Sequence, residues 1–88
     1  MQHRLFIGAN NTTGVVEKDK IVNEVSKVFD GFTCYPATGY WKGNKEKSLI
    51  VEIETGEKKK VQSMILRLKR ELRQEAIGYQ LLDSIMFV

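Results

Sequence analysis

The order in which the apolar residues change their spacing constrains the fold of this chain most. Four segments have the alternation or the composition of strands, namely 3–9 (HRLFIGA), 32–38 (FTCYPAT), 48–54 (SLIVEIE) and 76–88 (AIGYQLLDSIMFV). Two segments between them repeat apolar residues at helical spacing. The predicted order of elements is therefore β-α-β-β-α-β.

The first helical segment is predicted to cover about 16–29, and Asp30-Gly31 ends it. The preceding loop, NNTTG at 10–14, consists of turn-forming residues, and we expect Thr12 or Thr13 to cap the helix.

The second helix is predicted to begin at 55–57 and to reach about Glu75. Its apolar stripe consists of Val61, Met64, Ile65, Leu68 and Leu72. Seven cations between 58 and 73 make this helix strongly basic, which is typical of a solvated helix face or of an anion-contacting surface.

With right-handed crossovers, the element order predicts an α+β, ferredoxin-like sandwich. Its four-stranded antiparallel sheet has the order 4-1-3-2, and both helices cover one face. Residues 1–88 are expected to form this single domain, with Pro36 on an edge strand. In this topology the loop after strand 1, the hairpin between strands 2 and 3, and the end of helix 2 meet at one end of the molecule, here called the loop end.

The composition of the chain indicates the cellular compartment in which the protein is expected. One cysteine excludes an internal disulfide and is typical of a reducing compartment, and no apolar run approaches the ~20 residues of a membrane span. We therefore expect a cytoplasmic protein (in the host cytoplasm if phage-encoded) without membrane contact. The start of the chain, MQHRLFIG, lacks a signal-peptide core.

The segment 29–43 holds five of the eight aromatic residues, and much of it is predicted to lie at the loop end. A helix N-terminus, a polar loop and arginines at the end of helix 2 favour an anion there, and the aromatic rings favour a nucleotide-like ligand. The predicted ligand-binding residues are Asn10, Asn11, Thr12, Thr13, Tyr35, Tyr40, Trp41, Glu46, Arg70, Arg73 and Gln74. The structural alternative is that these residues form turns, cover the sheet edge and complement the helix dipole.

The sequence gives little support for a catalytic role, a metal site or a bound cofactor. His3 is the only histidine and is expected at a fraying terminus, and Cys34 has no evident base nearby and is expected to be a small buried residue. No catalytic residue, metal ligand or cofactor is assigned, and a non-enzymatic protein is favoured.

On the sheet face away from the helices, Phe6 and Ile50 are predicted to lie on the two central strands. Such a half-apolar open face favours a homodimer or a higher symmetric oligomer.

Short motifs at 5–8 (LFIG), 29–33 (FDGFT), 39–41 (GYW), 46–48 (EKS) and 73–76 (RQEA) resemble those of a family of small bacterial domains of unknown function. The resemblance implies the fold and no reaction, and it marks the following residues for mutagenesis: Gly8, Asp30, Gly31, Thr33, Gly39, Trp41, Glu46 and Gln74.

In size and lack of catalytic groups, the chain also resembles small phage counter-defence proteins. The favoured hypothesis is thus a non-enzymatic binding protein that holds a small anionic, nucleotide-like ligand as a phage sponge. The alternatives are a protein-binding inhibitor of a host protein, a structural homo-oligomer and, less favoured, a nucleic-acid binder that uses the basic helix 58–73.

Overall fold

The sheet has the order β2-β3-β1-β4, and all neighbouring strands are antiparallel. In this computed structural model, which describes residues 1–83, the strands are β1 (Gln2–Gly8), β2 (Thr33–Trp41), β3 (Asn44–Glu54) and β4 (Gly78–Leu82). The helices are α1 (Lys18–Ser26) and α2 (Lys58–Leu72). The predicted α+β, ferredoxin-like order of strands and helices is confirmed.

The core lies between the sheet and the two helices. Alternation along β1 and β3 buries Leu5, Ile7, Leu49, Val51 and Ile53 on the helix side. From the helices, buried apolar residues complete the same core: Ile21, Val25, Val61, Met64, Leu68 and Leu72. The predicted stripe of α2 is thus buried, except that Ile65 lies at its margin and is half-buried.

Helix α1 is shorter than predicted, and its predicted cap is wrong. It begins at Lys18, and the capping position is Glu17, which makes no side-chain capping hydrogen bond. Thr12 and Thr13 are too far upstream of Lys18 to cap the helix, because the hydrogen bonds of their turn are made within residues 10–15. Phe29 follows the helix and is nevertheless buried.

Helix α2 ends at Leu72, three residues before the predicted end. Arg73 adopts a left-handed conformation with φ of 54°, and this reverses the chain. The last strand was predicted to continue through 76–88 with a bend near Asp83-Ser84. Residues 84–88 lie outside the described part of the chain.

The β2–β3 hairpin is tighter than predicted. Its loop is only Lys42-Gly43, with φ of 50° and 78°, as in a type I′ turn that matches the twist of the strands. The sequence analysis ended strand 2 at 38 and began strand 3 at 48, but residues 39–41 belong to β2 and 44–47 belong to β3.

This hairpin also extends past its neighbour in the sheet. β1 ends at Gly8, opposite Ser48, so residues 38–41 and 44–47 continue for about 13 Å without a partner on the β1 side. We call this extension the hairpin arm. Pro36 lies on the outer strand β2, as predicted.

Two predicted positions are corrected by burial. His3 is not at a frayed terminus. It is buried, its Nε2 donates to the Thr55 carbonyl at 3.0 Å, and its Nδ1 lies 2.7 Å from the Tyr79 hydroxyl. Ile50 shares the open face with Phe6 but is only 3% exposed, against 40% for Phe6. The open face therefore exposes less apolar surface than the sequence suggested.

Among the described residues, neither helix has the length and apolar character needed to cross a membrane.

Candidate functional site

One opening at the loop end is a notch in the sheet. Because β1 stops at Gly8, the edge of β3 at Lys45, Glu46 and Lys47 faces the β1–α1 loop instead of a strand. A cleft of about 530 Å³ lies between them. We call this cleft the notch, and its remaining lining residues are Gly8, Ala9, Asn10, Asn11 and Gly14.

The loop wall of the notch is held rigid by its own hydrogen bonds. The Asn10 side-chain oxygen accepts from the amides of Thr12 and Thr13, at 2.8 and 3.1 Å. The backbone of Asn10 bonds to Val15 and Gly14, at 2.9 and 2.8 Å. Thr12 and Thr13 were predicted to bind a ligand, but their amides are used within the loop. Asn11 is exposed and lines the notch.

The opposite wall of the notch is positively charged. Lys45 and Lys47 lie two residues apart on the helix-facing side of β3, opposite Tyr40 and Thr38 of β2. The side chain of neither lysine forms an ion pair or hydrogen bond with any residue in 1–83. Two unpaired like charges on one wall repel each other, and an anion in the notch would relieve that repulsion.

A second opening, the side groove, runs from the loop along β2. It has a volume of about 380 Å³ and shares Gly14 and Lys47 with the notch. Its lining is mainly apolar and consists of Val15, Val16, Pro36, Ala37 and Leu49. Lys18, Thr38 and Ser48 form its polar margin.

The arginines predicted for the site lie on the other side of the loop. Arg73 lines a separate cleft of about 200 Å³ with Asn10, Glu17 and Lys20. Arg70 is exposed, and its Nε lies 3.9 Å from a carboxylate oxygen of Glu71. Arg73 therefore lies near the start of α1, and neither arginine is among the residues that line the notch.

Gln74 has a structural contact that the sequence did not reveal. Its Nε2 donates to the Gly8 carbonyl at 2.7 Å, which ties the α2–β4 junction to the end of β1. It also lines a cleft of about 180 Å³ together with Asn11.

Tyr40 and Trp41 lie at the tip of the hairpin arm, at the predicted end of the molecule, and are 72% and 64% exposed. As neighbours on one strand they point to opposite faces, with Tyr40 on the same face as Lys45 and Lys47. The Lys42 ammonium lies 5.8 Å from the centre of the Trp41 ring.

Tyr35 does not belong to the loop end. It is six residues from Trp41 along an extended strand, about 20 Å away. Its hydroxyl donates to Glu52 on the open face, which also accepts from Gln2 and lies 3.7 Å from Arg4. The hydrogen bond to Glu52 raises the pKa of Tyr35 above its ordinary value.

A second buried carboxylate joins the two helices away from the notch. Glu24 contacts Lys27 at 2.9 Å and Arg67 at 3.3 Å. The hydrogen bond from Lys27 holds the pKa of Glu24 below its ordinary value of 4.5, and the Arg67 charge acts in the same direction. Residues 1–83 contain no group of three His, Cys, Asp or Glu side chains placed to hold a metal ion.

The lysines that line the notch and the side groove were not predicted from the sequence. Lys18, Lys45 and Lys47 looked like ordinary solvated charges, because the notch exists only where β3 outruns β1. The available signal was the strand alternation that places Lys45 and Lys47 on the same side as Leu49.

Comparison with known proteins supports the fold. No protein-family model and no curated protein matches the chain. A phage SAM lyase in its apo state is similar in structure, with a TM-score of 0.67 and 18% identity, over 89% of this chain and 75% of that one. A DUF3240 family protein from Shewanella baltica OS155 has a TM-score of 0.57 and 13% identity, over 99% and 96% of the two chains. At these identities the likeness shows a shared fold, and one of the proteins that share it is a phage enzyme.

Proposed function

We propose that the notch binds a small anionic, nucleotide-like ligand and that the chain is a non-enzymatic phage protein that sequesters it in counter-defence. The observation that carries the proposal is the pair Lys45 and Lys47, which lack counter-charges within residues 1–83 and line a cleft of about 530 Å³. A cleft of this size is typical of small-ligand sites.

The structure changes which residues are expected to bind the ligand. Asn11, Glu46 and the two lysines line the notch, while Asn10, Thr12 and Thr13 act by shaping the loop. The small residues Gly8, Ala9 and Gly14 leave room for the ligand to approach the backbone. We expect the strongest contact to be a charge-assisted hydrogen bond from Lys47 to the anionic group, since Lys47 also borders the side groove.

The test is a thermal-shift screen with linear and cyclic nucleotides and with SAM. A ligand present at 100 times its Kd stabilises the fold by about 2.7 kcal/mol, which raises the Tm of a domain of this size by roughly 10–20 °C. Lys47→Gln is expected to reduce the shift strongly. Lys59→Gln, which removes an exposed lysine of α2 that has no ion pair within residues 1–83, is the matched control.

One further variant locates the ligand. Arg70→Ala should leave the shift unchanged if the ligand stays in the notch, and a lost shift would mean that the ligand extends across the loop to α2. If no compound changes the Tm, the ligand proposal is wrong.

The comparison with the SAM lyase favours a second candidate, an enzyme that acts on SAM. This candidate predicts that SAM is consumed over time, as followed by liquid chromatography. Glu46 is the one carboxylate among the residues that line the notch. Glu46→Gln should then abolish turnover while the SAM-induced Tm shift remains. Binding of SAM without its consumption would favour the sponge.

The two alternatives that involve macromolecules give different results. A protein-binding inhibitor predicts a stable complex with a host protein on gel filtration. A nucleic-acid binder predicts retention on DNA or RNA that collapses between low and physiological salt. The nucleic-acid alternative is weakened, because three of the seven cations of 58–73 have acidic neighbours within 4 Å that reduce their attraction for phosphate. These pairs are Lys60 with Glu57, Arg67 with Glu24 and Arg70 with Glu71.

A further inference from the structure

The side groove is an apolar surface attached directly to the charged notch. The two openings share Gly14 and Lys47 as lining residues, so they adjoin each other at these two residues. Beyond Lys47, the lining changes from polar side chains to valine, proline, alanine and leucine. The two openings therefore offer a single ligand one anionic and one apolar position.

The walls of the groove are firm and partly open to solvent. Val15 is 60% exposed, but its amide bonds to the Thr13 hydroxyl at 3.2 Å and its carbonyl accepts from Asn10 at 2.9 Å. The opposite wall is the outer strand β2, where Pro36 is rigid. Fixed apolar walls suit a flat ring, because the ring gains contact area without costly ordering of the protein.

A heterocyclic base has apolar faces and a polar edge. The groove offers apolar side chains that can contact the faces and a polar group that can contact the edge. Val15, Pro36 and Leu49 supply apolar contact, and Thr38 at the margin supplies a hydroxyl that can donate or accept. Lys47 borders both openings, so it can contact the phosphate of a ligand whose base lies in the groove.

Building on the anion site proposed for the notch, we propose that the side groove holds the base of a nucleoside monophosphate whose phosphate lies on Lys45 and Lys47. The ligand class is then a mononucleotide, with the base in the groove, the phosphate in the notch and the sugar passing Gly14. An anion without a base would fill the notch alone.

The test is isothermal titration calorimetry with AMP, GMP, CMP and UMP, and with ribose 5-phosphate as the probe that lacks a base. We expect at least one nucleoside monophosphate to bind about tenfold or more tightly than ribose 5-phosphate. Val15→Ser should weaken that binding about three- to tenfold and leave ribose 5-phosphate unchanged. Leu66→Ser, at a similarly exposed aliphatic residue of α2, is the matched control.

Pro36→Ala is a second groove variant that leaves the loop untouched, and its circular dichroism melt shows whether the fold is retained. If no nucleoside monophosphate binds better than ribose 5-phosphate, the groove inference is overturned and the notch proposal stands. If none of the five probes binds, the groove inference is overturned, and the notch proposal is overturned with it only if no compound of the thermal-shift screen raises the Tm.

Discussion

The Gln74 side chain provides a measurable test of how the loop end is held together. Its Nε2 donates to the Gly8 carbonyl at 2.7 Å, and its own amide donates to the Lys69 carbonyl at 2.9 Å where α2 ends. One residue thus closes α2 and joins it to the last residue of β1, 66 positions away.

The variant Gln74→Leu removes the donor, keeps most of the side-chain volume and leaves the Gly8 carbonyl without its partner. Leaving a half-buried carbonyl unpaired costs about 1–2 kcal/mol. For a domain of this size, this free energy corresponds to a fall in Tm of roughly 4–16 °C.

The assay is thermal unfolding followed by circular dichroism, without ligand. The matched control is Gln62→Leu, at an exposed glutamine of α2 whose side chain has no hydrogen-bond partner among residues 1–83. If the two variants melt within about 2 °C of each other, the Gln74 hydrogen bond does not stabilise the fold and the structural argument is refuted. Unchanged stability with lost nucleotide binding would support the original assignment of Gln74 to the ligand.

Two further predictions concern stability. The Lys27 hydrogen bond lowers the pKa of Glu24, so the stability gained from Glu24 is present above its unfolded pKa of about 4.5 and is lost as the pH falls through the lower folded value. The Tm of the wild type should therefore fall more than that of Glu24→Gln between about pH 6 and pH 3, and parallel Tm curves would contradict this. Gly78→Ala should destabilise by about 1–3 kcal/mol, because the new Cβ would lie 3.0 Å from the Phe6 Cβ. Gly56→Ala, where a Cβ meets no atom within 4 Å, is the control in the same urea titration.

The order of elements was predictable because each buried surface leaves a period in the sequence. The alternation of Leu49, Val51 and Ile53 defines a strand with one buried face. The stripe of α2 defines a helix by the same argument. Topology then follows from the few connections that right-handed crossovers permit.

The site was only partly predictable, because it depends on where paired strands end relative to one another. The pattern within β3 does not reveal that β1 stops opposite Ser48, and this mismatch in length creates the notch. The composition of the loop at 10–14 predicted a turn but not which donors the turn would consume. The Asn10 side chain takes two amides that were assigned to the ligand.

The two exposed aromatics at the arm tip cannot both contact a ligand confined to one face. Tyr40 shares its face with Lys45 and Lys47, whereas Trp41 points to the other face together with Glu46. Trp41→Ala should therefore bind a mononucleotide as tightly as the wild type does. Tyr40→Ala should bind it more weakly only if the bound mononucleotide extends from the notch along the hairpin arm. Calorimetry on both variants checks this, with the wild type as reference. A large loss in Trp41→Ala would show that the ligand wraps around the arm, and the mononucleotide assignment would then give way to a longer, dinucleotide-like molecule.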